Sequence, residues 1–505
     1  MKYKHFHFFT ILFCCLLFAF SVSVGCGPEA NPPGQEPEKE IAAPDAGKAD
    51  ETRQPDKSEP EKNTPDSGAP DDTQPEKTDP EKPQPDTIQP DNSKPKVGFT
   101  LQLLHASDQE SDGAALTDAL HMSSIIKGLK KKYPKNTLVL SSGDLWLPGP
   151  FYTASDDKSM ETLLKRTGKG RADVLINNAL GFQVAAFGNH EFDEGTGAVA
   201  SLLKPDEKDG KRYPGTSFPY LSANLDFTND SNLKELVVED GQEASKIRGK
   251  IAKSCYIVVD GKKIGIIGAT TPTLGTISSP GAGVGVMPKN YKDIDGLAAE
   301  IQKAVDTLQK KHPDINKIIL LSHMQQIHIE KQLATKLQGV DIIIAGGSDT
   351  ILADSDDRLR PNDKAADTYP IWLESKSKEP VALVNTDGQY LYLGRLVVDF
   401  DSKGILVKES VDKKESGTIP TDQQAAKDSG GEAPDQQIQD LIKGIKGVIS
   451  SKDGNIVGKT TVYLNGLRQG VRTQETNLVS LTAEANLWYA KKVDPEVVIA
   501  LKNGG

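Results

Sequence analysis

This chain has few cysteines and no net positive charge. Its four cysteines are Cys14, Cys15, Cys26 and Cys255. Three of them lie close to the N-terminus, so we predict no disulfide framework and expect Cys255 to be a small buried residue on a strand. Acidic residues outnumber basic ones by 71 to 60, which gives a net charge of −11 and an isoelectric point of about 5.4. The chain therefore offers no basic surface for a nucleic-acid polymer, although a single nucleotide stays compatible with it.

The N-terminus has the pattern of an export signal. Lysines at positions 2 and 4 precede an apolar run over residues 8–24, near the lower length limit for a membrane-spanning helix. The sequence Ser-Val-Gly-Cys that ends at Cys26 resembles a bacterial lipobox, with serine where leucine is preferred. We therefore predict a signal peptide over residues 1–26, lipidation at Cys26 and an extracytoplasmic protein anchored to membrane lipid, in the periplasm or on the cell surface. An uncleaved membrane anchor is the alternative.

Residues 27–97 consist mostly of Pro, Asp, Glu, Lys, Gln and Thr, with hardly any large apolar side chains. Near-repeats such as the one at 74–82 follow neither helical nor strand periodicity. Such a segment cannot bury enough apolar surface to offset its chain entropy, so we predict a disordered linker that proline stiffens. It would hold the following domain away from a lipid surface.

From residue 98 the pattern alternates between strands and helices. Apolar positions at helical spacing predict helices over residues 115–132, 174–180, 294–311 and 328–337. Residues 257–268 predict a hairpin with an Asp-Gly turn, and residues 390–400 predict a further strand. This alternation favours a layered α/β architecture.

Each of five strand-like apolar runs leads into a residue that can bind a metal. These runs cover residues 101–107, 137–142, 182–187, 318–321 and 340–344. In open α/β sheets, sites form at the edge where the carboxyl ends of the strands meet. Oxygen and imidazole ligands that converge there suit a hydrolase with two metal ions.

In chain order, the strand ends lead into Asp-Gln-Glu at 108–110, Gly-Asp at 143–144, Gly-Asn-His-Glu at 188–191, the lone His323 and Gly-Gly-Ser-Asp at 346–349. These motifs resemble those of the calcineurin-like metallophosphoesterases, and within them the secreted 5'-nucleotidase family. The resemblance spans about residues 98–400. A second match starts near residue 455, where residues 471–478 are similar to the opening of the family's substrate-binding domain. The implied fold is α/β: a layered β-sandwich flanked by helices, followed by the start of an α/β C-terminal domain.

The resemblance and the composition together divide the chain into domains. We expect a catalytic domain over residues 98–402, a polar linker and connecting helix over 403–452, and a partial C-terminal domain over 453–505. Related sequences continue past such a Gly-Gly, here at 504–505, into a substrate-binding arginine and base-stacking aromatics. We therefore expect the C-terminal domain to be truncated.

Two motifs depart from the family pattern. Glu110 stands where the family has His, and Gly347 and Asp349 stand where two further ligands are expected. Because Glu and Asp also coordinate cations, we interpret the site as a variant that is richer in carboxylate. Gly347 has no side chain to offer, which leaves one metal a ligand short. Water, substrate or an unidentified group would fill that place, and His328 is a conceivable substitute.

The resemblance also implies site residues. They are, as metal ligands, Asp108, Glu110, Asp144, Asn189, His323 and Asp349; as catalytic residues, His190 and Asp193; and as substrate-binding residues, Asn224 and Asn503. Asp144 would bridge two divalent cations, with Asp108, Glu110 and Asp349 on one and Asn189 and His323 on the other. His190 would stabilise the transition state or protonate the leaving oxygen, and Asp193 would orient its imidazole. The cations would be Mn, Mg, Fe or Zn, and the oxygen-rich ligand set favours the harder ones.

The resulting hypothesis is an exported, membrane-tethered phosphoesterase with two metal ions. It would hydrolyse nucleotides or related small phosphoesters by metal-activated hydroxide, and the sequence predicts no protein partner. The alternative is a degenerate, non-catalytic surface lipoprotein that retains the fold, which Gly347 and the truncated second domain favour. The retained Asp, Asn and His motifs favour catalysis.

Overall fold

The computed structural model describes residues 97–111, 113–386, 388–453 and 458–502. The predicted signal peptide with Cys26, the predicted linker before Val97, and Asn503 lie outside the described residues. Those assignments stay predictions.

The strands form two large sheets and two small ones. Their bounds are β1 (Val97–Ala106), β2 (Thr137–Ser141), β3 (Val184–Ala186), β4 (Asp206–Lys208), β5 (Lys211–Tyr213), β6 (Tyr220–Leu221), β7 (Leu225–Asp226), β8 (Gln242–Glu243), β9 (Ile251–Ala252), β10 (Ser254–Val259), β11 (Lys262–Thr270), β12 (Gly285–Val286), β13 (Ile318–His323), β14 (Ile342–Ile344), β15 (Ile371–Glu374), β16 (Pro380–Val384), β17 (Tyr392–Asp401), β18 (Leu406–Val407) and β19 (Gly417–Pro420). The first sheet has the order β18-β17-β1-β2-β3-β6-β9, with β19 also paired to β17. The second has the order β15-β16-β14-β13-β11-β10-β8, and the small sheets are β12-β7 and β4-β5.

The helices lie between these strands in sequence and continue beyond the last of them. Their bounds are α1 (Ala115–Lys132), α2 (Pro150–Ala154), α3 (Glu161–Leu164), α4 (Arg171–Leu180), α5 (Gly195–Leu203), α6 (Leu274–Ile277), α7 (Ile294–Lys311), α8 (Ile327–Lys336), α9 (Gln423–Asp428), α10 (Gln436–Asp453), α11 (Arg468–Thr473) and α12 (Asn477–Val493).

The two large sheets face each other, and helices cover their outer faces. Leu101 and Leu103 of β1 share a buried cluster with Ile319 of β13 and with side chains from α7 and α8. Leu104, on the opposite face of β1, belongs to a second cluster with Ile125 of α1 and with side chains from α4 and α10. This alternation is what a strand buried on both faces produces. The predicted α/β sandwich with flanking helices is confirmed.

Parallel pairing in both sheets brings the ends of the central strands to one edge. In the first sheet β1, β2, β3 and β6 are parallel neighbours, and in the second sheet β11, β13, β14 and β16 are. Hydrogen bonds and ion pairs connect the loops after β1 and β2 with the end of β13 and the loop after β14. The edge predicted from the strand ends is therefore shared by both sheets.

Where apolar residues recur at regular spacing in the sequence, the helices and strands agree closely with the prediction. Helices α1 and α7 have the predicted bounds, and β10 and β11 form the predicted hairpin around Asp260 and Gly261. Cys255 is buried on β10, as expected.

The stretch 403–452 is structured throughout most of its length, in contrast to the expected linker. Strand β19 pairs with β17, and α9 contributes buried alanines to the cluster beneath α1. Helix α10 lies where the connecting helix was expected and buries Ile438, Leu441 and Ile445 against the first sheet's helices. Short elements that expose one face have a polar composition, which is why this segment looks like a linker in the sequence.

The described residues after α10 contain α11 and α12. No residue of α12 is buried, and Trp488 and Tyr489 are 62% and 59% exposed. Across the described residues, no helix combines the length and the apolar character needed to cross a membrane.

Candidate metal centre

The candidate ligands lie in the loops at the shared sheet edge. The loops after β1 and β2 are joined by hydrogen bonds from the Asp108 N–H to the Gly143 carbonyl (2.9 Å) and from the Glu110 N–H to the Asp144 carbonyl (3.2 Å). Asp108, Glu110 and Asp144 have φ angles of +53°, +44° and +54°. Non-glycine residues in this left-handed region cost about 1 kcal/mol or more each, and such strain is concentrated at functional sites.

Asp108, Asp144 and His323 form the first group of metal donors, and all three are buried. One donor atom from each lies within 4.8 Å of the others. The Nε2 of His323 is 2.9 Å from Asp144 Oδ2 and 3.8 Å from Asp108 Oδ1. The Gly347 N–H donates to both oxygens of Asp108 at 2.9 Å, which fixes the direction of that carboxylate.

Glu110, Asp144 and His190 form a second group of the same size. The Nε2 of His190 lies 3.4 Å from Glu110 Oε1. Asp144 belongs to both groups, because its Oδ2 faces His323 while its Oδ1 accepts a hydrogen bond from the His190 backbone N–H at 2.7 Å. A carboxylate shared between two donor groups is what bridges two cations about 3.5–4 Å apart.

The tautomer of His323 suits metal binding. Its Nδ1 lies 2.8 Å from the Ser142 carbonyl oxygen. Because a carbonyl can only accept, Nδ1 carries the hydrogen, and in the neutral ring the lone pair of Nε2 faces Asp144. Metal-binding histidines are usually held in this way through their other ring nitrogen.

His190 and Asp193 are in direct contact. The His190 Nδ1 lies 2.6 Å from Asp193 Oδ2, and the other Asp193 oxygen accepts a hydrogen bond from the Ser278 hydroxyl at 2.8 Å. The carboxylate therefore holds the imidazole in one orientation while the ring stays 29% exposed on the open side of the site. The geometry is the one the sequence predicts for this pair, and the catalytic role of the pair stays a prediction.

The structure divides the ligands differently from the family-based assignment. Glu110 is grouped with His190 instead of with Asp108, and His323 is grouped with Asp108. Asp349 is exposed, has a φ of +47° and belongs to neither group. His328 is exposed on α8. Motif order along the chain cannot specify these groupings, because they depend on the backbone angles of the loops.

Asn189 and Asn224 are both buried but have different surroundings. The Oδ1 of Asn189 contacts the amide nitrogen of Gln325, a residue that the sequence did not single out. The amide of Asn224 is bonded to the backbone N–H and carbonyl of Thr270 (2.9 and 2.7 Å) and to the Met287 carbonyl (2.9 Å). It joins the end of β11 to β12, and its role in substrate binding stays a prediction.

Glu191 lies within the Gly-Asn-His-Glu motif, although sequence reasoning gave it no role, and it supports the site. Its side chain is 1% exposed. Its carboxylate accepts hydrogen bonds from the backbone N–H groups of Gly188 (2.8 Å), Asp144 (3.1 Å) and Leu145 (2.8 Å). It therefore connects the loop that carries His190 to the loop that carries the shared aspartate.

Burial raises the pKa of the carboxylates of Glu110 and Asp108. The pKa of Glu110 rises to about 8 through burial, with Asp144 and Asp108 adding to the rise. The pKa of Asp108 rises to about 6 for the same first reason, although His323 opposes the rise. Burial would also raise the pKa of Asp144. The charge of His323 and its hydrogen bond to Asp144 outweigh the burial, so the pKa of Asp144 is lowered.

Both histidines of the donor groups hold protons strongly. Burial alone would lower the pKa of His323, but Asp144 and Asp108 raise it to about 10. Burial also acts against His190, whose bond to Asp193 and proximity to Asp144 raise its pKa to about 9. The site thus concentrates negative charge that protons neutralise when no cation is bound. Two donor groups that share a carboxylate, with a correctly oriented imidazole, have the chemistry of a divalent-metal site in which cations take the place of those protons.

We predict that the metal-free protein loses stability as the pH rises from about 5 to about 9. Glu110 keeps a proton up to about pH 8 in the folded state but only to 4.5 when unfolded, and His323 keeps one to about 10 instead of 6.5. Because the folded state binds more protons in this window, the free energy of unfolding falls with pH. Cations replace these protons, so the gain in Tm from Mn²⁺ over EDTA should grow from pH 5 to pH 8. Thermal unfolding at each pH measures both trends, and a pH-independent gain would contradict the assignment.

We predict that Glu191→Gln destabilises the metal-free protein by about 1–3 kcal/mol. An amide has one accepting oxygen where the carboxylate has two, so a buried backbone N–H loses its partner. Urea unfolding in EDTA measures the change. Glu194→Gln is the matched control, because Glu194 makes a partly exposed ion pair with Lys169 and the loss should stay below about 1 kcal/mol. Equal stability of Glu191→Gln and the wild-type protein would rule out the connecting role.

Comparisons with known proteins agree with this geometry. The chain is 28% identical over 419 residues to the trifunctional nucleotide phosphoesterase protein YfkN of Bacillus subtilis, covering 81% of this chain and 25% of that one. It is 31% identical over 320 residues to the snake venom 5'-nucleotidase of Gloydius brevicauda, covering 63% and 47%. The chain thus spans less than half the length of these two curated relatives. No protein-family model matches it.

A solved structure is also similar to this chain in fold. The 5'-nucleotidase precursor from Thermus thermophilus superposes with a TM-score of 0.56 at 26% identity, covering 78% of this chain and 68% of that one. Sequence motifs, donor groups, relatives and fold therefore agree. The chain is therefore similar, in sequence and in fold, to 5'-nucleotidases and to a nucleotide phosphoesterase.

Proposed function

We propose that this protein is a metal-dependent phosphoesterase that hydrolyses nucleotides with two divalent cations. The observation that carries the proposal is Asp144, a buried carboxylate shared by two groups of metal donors at the edge where both sheets end. The names of the relatives, a nucleotide phosphoesterase and 5'-nucleotidases, support nucleotides as the substrate class.

The chain would hold the cations through its two donor groups. Asp108 and His323 would serve one ion, Glu110 would serve the other, and Asp144 would bridge them. When bound, two such cations supply Lewis acidity: they neutralise phosphoryl oxygens and make water acidic enough to act as a nucleophile near neutral pH.

His190 is suited to handle the proton of the leaving group. Asp193 accepts the hydrogen of its Nδ1, so Nε2 points towards Glu110 and the donor groups. The hydrogen bond to Asp193 favours the protonated form of the imidazole and raises its pKa, and in that form the ring can donate from Nε2 to a leaving oxygen. Ser278 restrains the other oxygen of Asp193, so the ring keeps this orientation.

We predict that Asp144→Asn lowers turnover at least about 1000-fold, equivalent to ~4 kcal/mol of transition-state stabilisation. The substitution removes the negative charge that two cations would share. Phosphate release from a panel of nucleotides and simple phosphomonoesters, with and without Mn²⁺, measures the change and ranks the substrates. His190→Ala is the comparison: turnover should fall about 100-fold with metal content unchanged.

Two results would contradict these roles. Full activity of Asp144→Asn would show that the bridging assignment is wrong. Loss of metal from His190→Ala would make His190 a ligand of the second donor group instead of the proton donor. If the wild-type protein bound metal and hydrolysed nothing, the non-catalytic alternative would replace the proposal.

We further propose that the protein is exported and held at a membrane by lipid on Cys26. The basic start, the apolar run over residues 8–24 and the lipobox-like Ser-Val-Gly-Cys support this. We predict that Cys26→Ser moves the protein from the membrane fraction to the soluble fraction of the expressing bacterium. Metabolic labelling with a radioactive fatty acid measures the attachment, and labelling of Cys26→Ser equal to the wild type would exclude this residue as the anchor.

A further inference from the structure

The side-chain amide of Gln325 lies inside the candidate metal centre. Its nitrogen contacts Asn189 Oδ1 and is 3.0 Å from His323 Nε2, the same ring atom that faces Asp144. Gln325 follows β13 with a φ of +67°, a left-handed conformation that glycine adopts more easily than glutamine. The chain thus places a long polar side chain in the centre at the cost of backbone strain.

The amide of Gln325 occupies the space next to Gly347. A Cβ added at Gly347 would lie 2.5 Å from the Gln325 amide nitrogen and 2.8 Å from His323 Nε2. A side chain at position 347 would therefore enter the volume that the Gln325 amide fills. Because Gly347 has no side chain, it leaves free the space that the Gln325 amide fills.

The atoms around this position are mostly hydrogen-bond acceptors. In the neutral tautomer of His323 that binds a metal, Asn189 Oδ1, the lone pair of His323 Nε2 and Asp144 Oδ2 are all on this side of the site. The two amide hydrogens of Gln325 can serve the first two, but an amide carries no charge that could balance those of Asp144 and Asp108. A divalent cation satisfies all of these atoms. A half-turn of the amide brings its Oε1 to the place of the nitrogen, so that Gln325 becomes an oxygen ligand without other movement.

We propose that Gln325 is a metal ligand that replaces, on the side of Asn189 and His323, the side chain that Gly347 lacks. The inference rests on the proposed two-metal function, and it makes the centre complete with side chains of this chain alone. An amide oxygen is a neutral, hard ligand, so the substitution further favours Mn²⁺ or Mg²⁺ over Zn²⁺.

The test is metal binding, measured apart from turnover. Wild-type protein, Gln325→Gly and Gln325→Glu are dialysed against a series of free Mn²⁺ concentrations, and bound metal is counted by mass spectrometry. The glycine variant removes the amide and also relieves the positive φ, so its metal-free Tm should equal or exceed that of the wild type. Gln326→Gly is the matched control, because Gln326 is exposed and has extended backbone.

We expect the wild-type chain to bind two Mn²⁺ ions. In Gln325→Gly, the affinity for the more weakly bound ion should fall at least about tenfold. Gln325→Glu keeps an oxygen at the same reach and should bind two ions, as should Gln326→Gly. The electron paramagnetic resonance spectrum should change from a coupled Mn pair to isolated Mn²⁺ in the glycine variant at metal concentrations that saturate the wild type.

Two outcomes would overturn the proposal and are distinguishable. If Gln325→Gly bound two ions with wild-type affinity, or more ions than the wild type, Gln325 would not be a ligand while the proposed function stood. If the wild-type protein bound no metal at all, the proposed function would fail and this inference with it.

Discussion

The burial of one negative charge, that of Asp144, is the constraint on which the rest of the site depends. A buried carboxylate is costly unless its oxygens are paired, and here each oxygen has a partner from a different loop. The Gly-Asn-His-Glu motif can be explained from this single requirement. A Cβ at Gly188 would come within 2.2 Å of Asp144 Oδ1, so only glycine fits there. Glu191 then accepts hydrogen bonds from the backbone of both loops, and His190 is brought to the open side.

The sandwich explains why these loops can meet. The candidate ligands come from the first sheet through β1, β2 and β3 and from the second through β13, and the carboxyl ends of all four strands lie at one edge. The sheets themselves are buried on both faces and carry the stability. The loops at the edge can therefore hold residues with positive φ and crowded charges, which a less well-packed scaffold would not tolerate.

The sequence predicts the scaffold better than the site. Helices α1 and α7 have the predicted bounds because an apolar stripe at helical spacing determines where they begin and end. The strand ends also identify Asp108, Asp144 and His323, since parallel strands bring such residues together. The grouping of Glu110 with His190 was not predictable, because it depends on loop angles that are not encoded in a repeating pattern.

Gln325, strand β19 and helix α9 escaped prediction for similar reasons. Gln325 acts through a left-handed backbone angle and a glycine distant in sequence, and neither leaves a local signal. Strand β19 and helix α9 have polar outer faces and pair with elements that precede them in the chain. In both cases the decisive contact is long-range. The family resemblance implies a missing ligand at Gly347, and the Gln325 amide lies next to that position.

The most direct test of the central claim is anomalous X-ray diffraction from crystals of the protein loaded with Mn²⁺. Data collected on both sides of the manganese absorption edge locate each ion independently of the protein coordinates. If Asp144 is shared by two cations, two anomalous peaks lie about 3.5–4 Å apart, one on each side of its carboxylate. A single peak, or peaks away from Asp144, would contradict the shared-carboxylate centre.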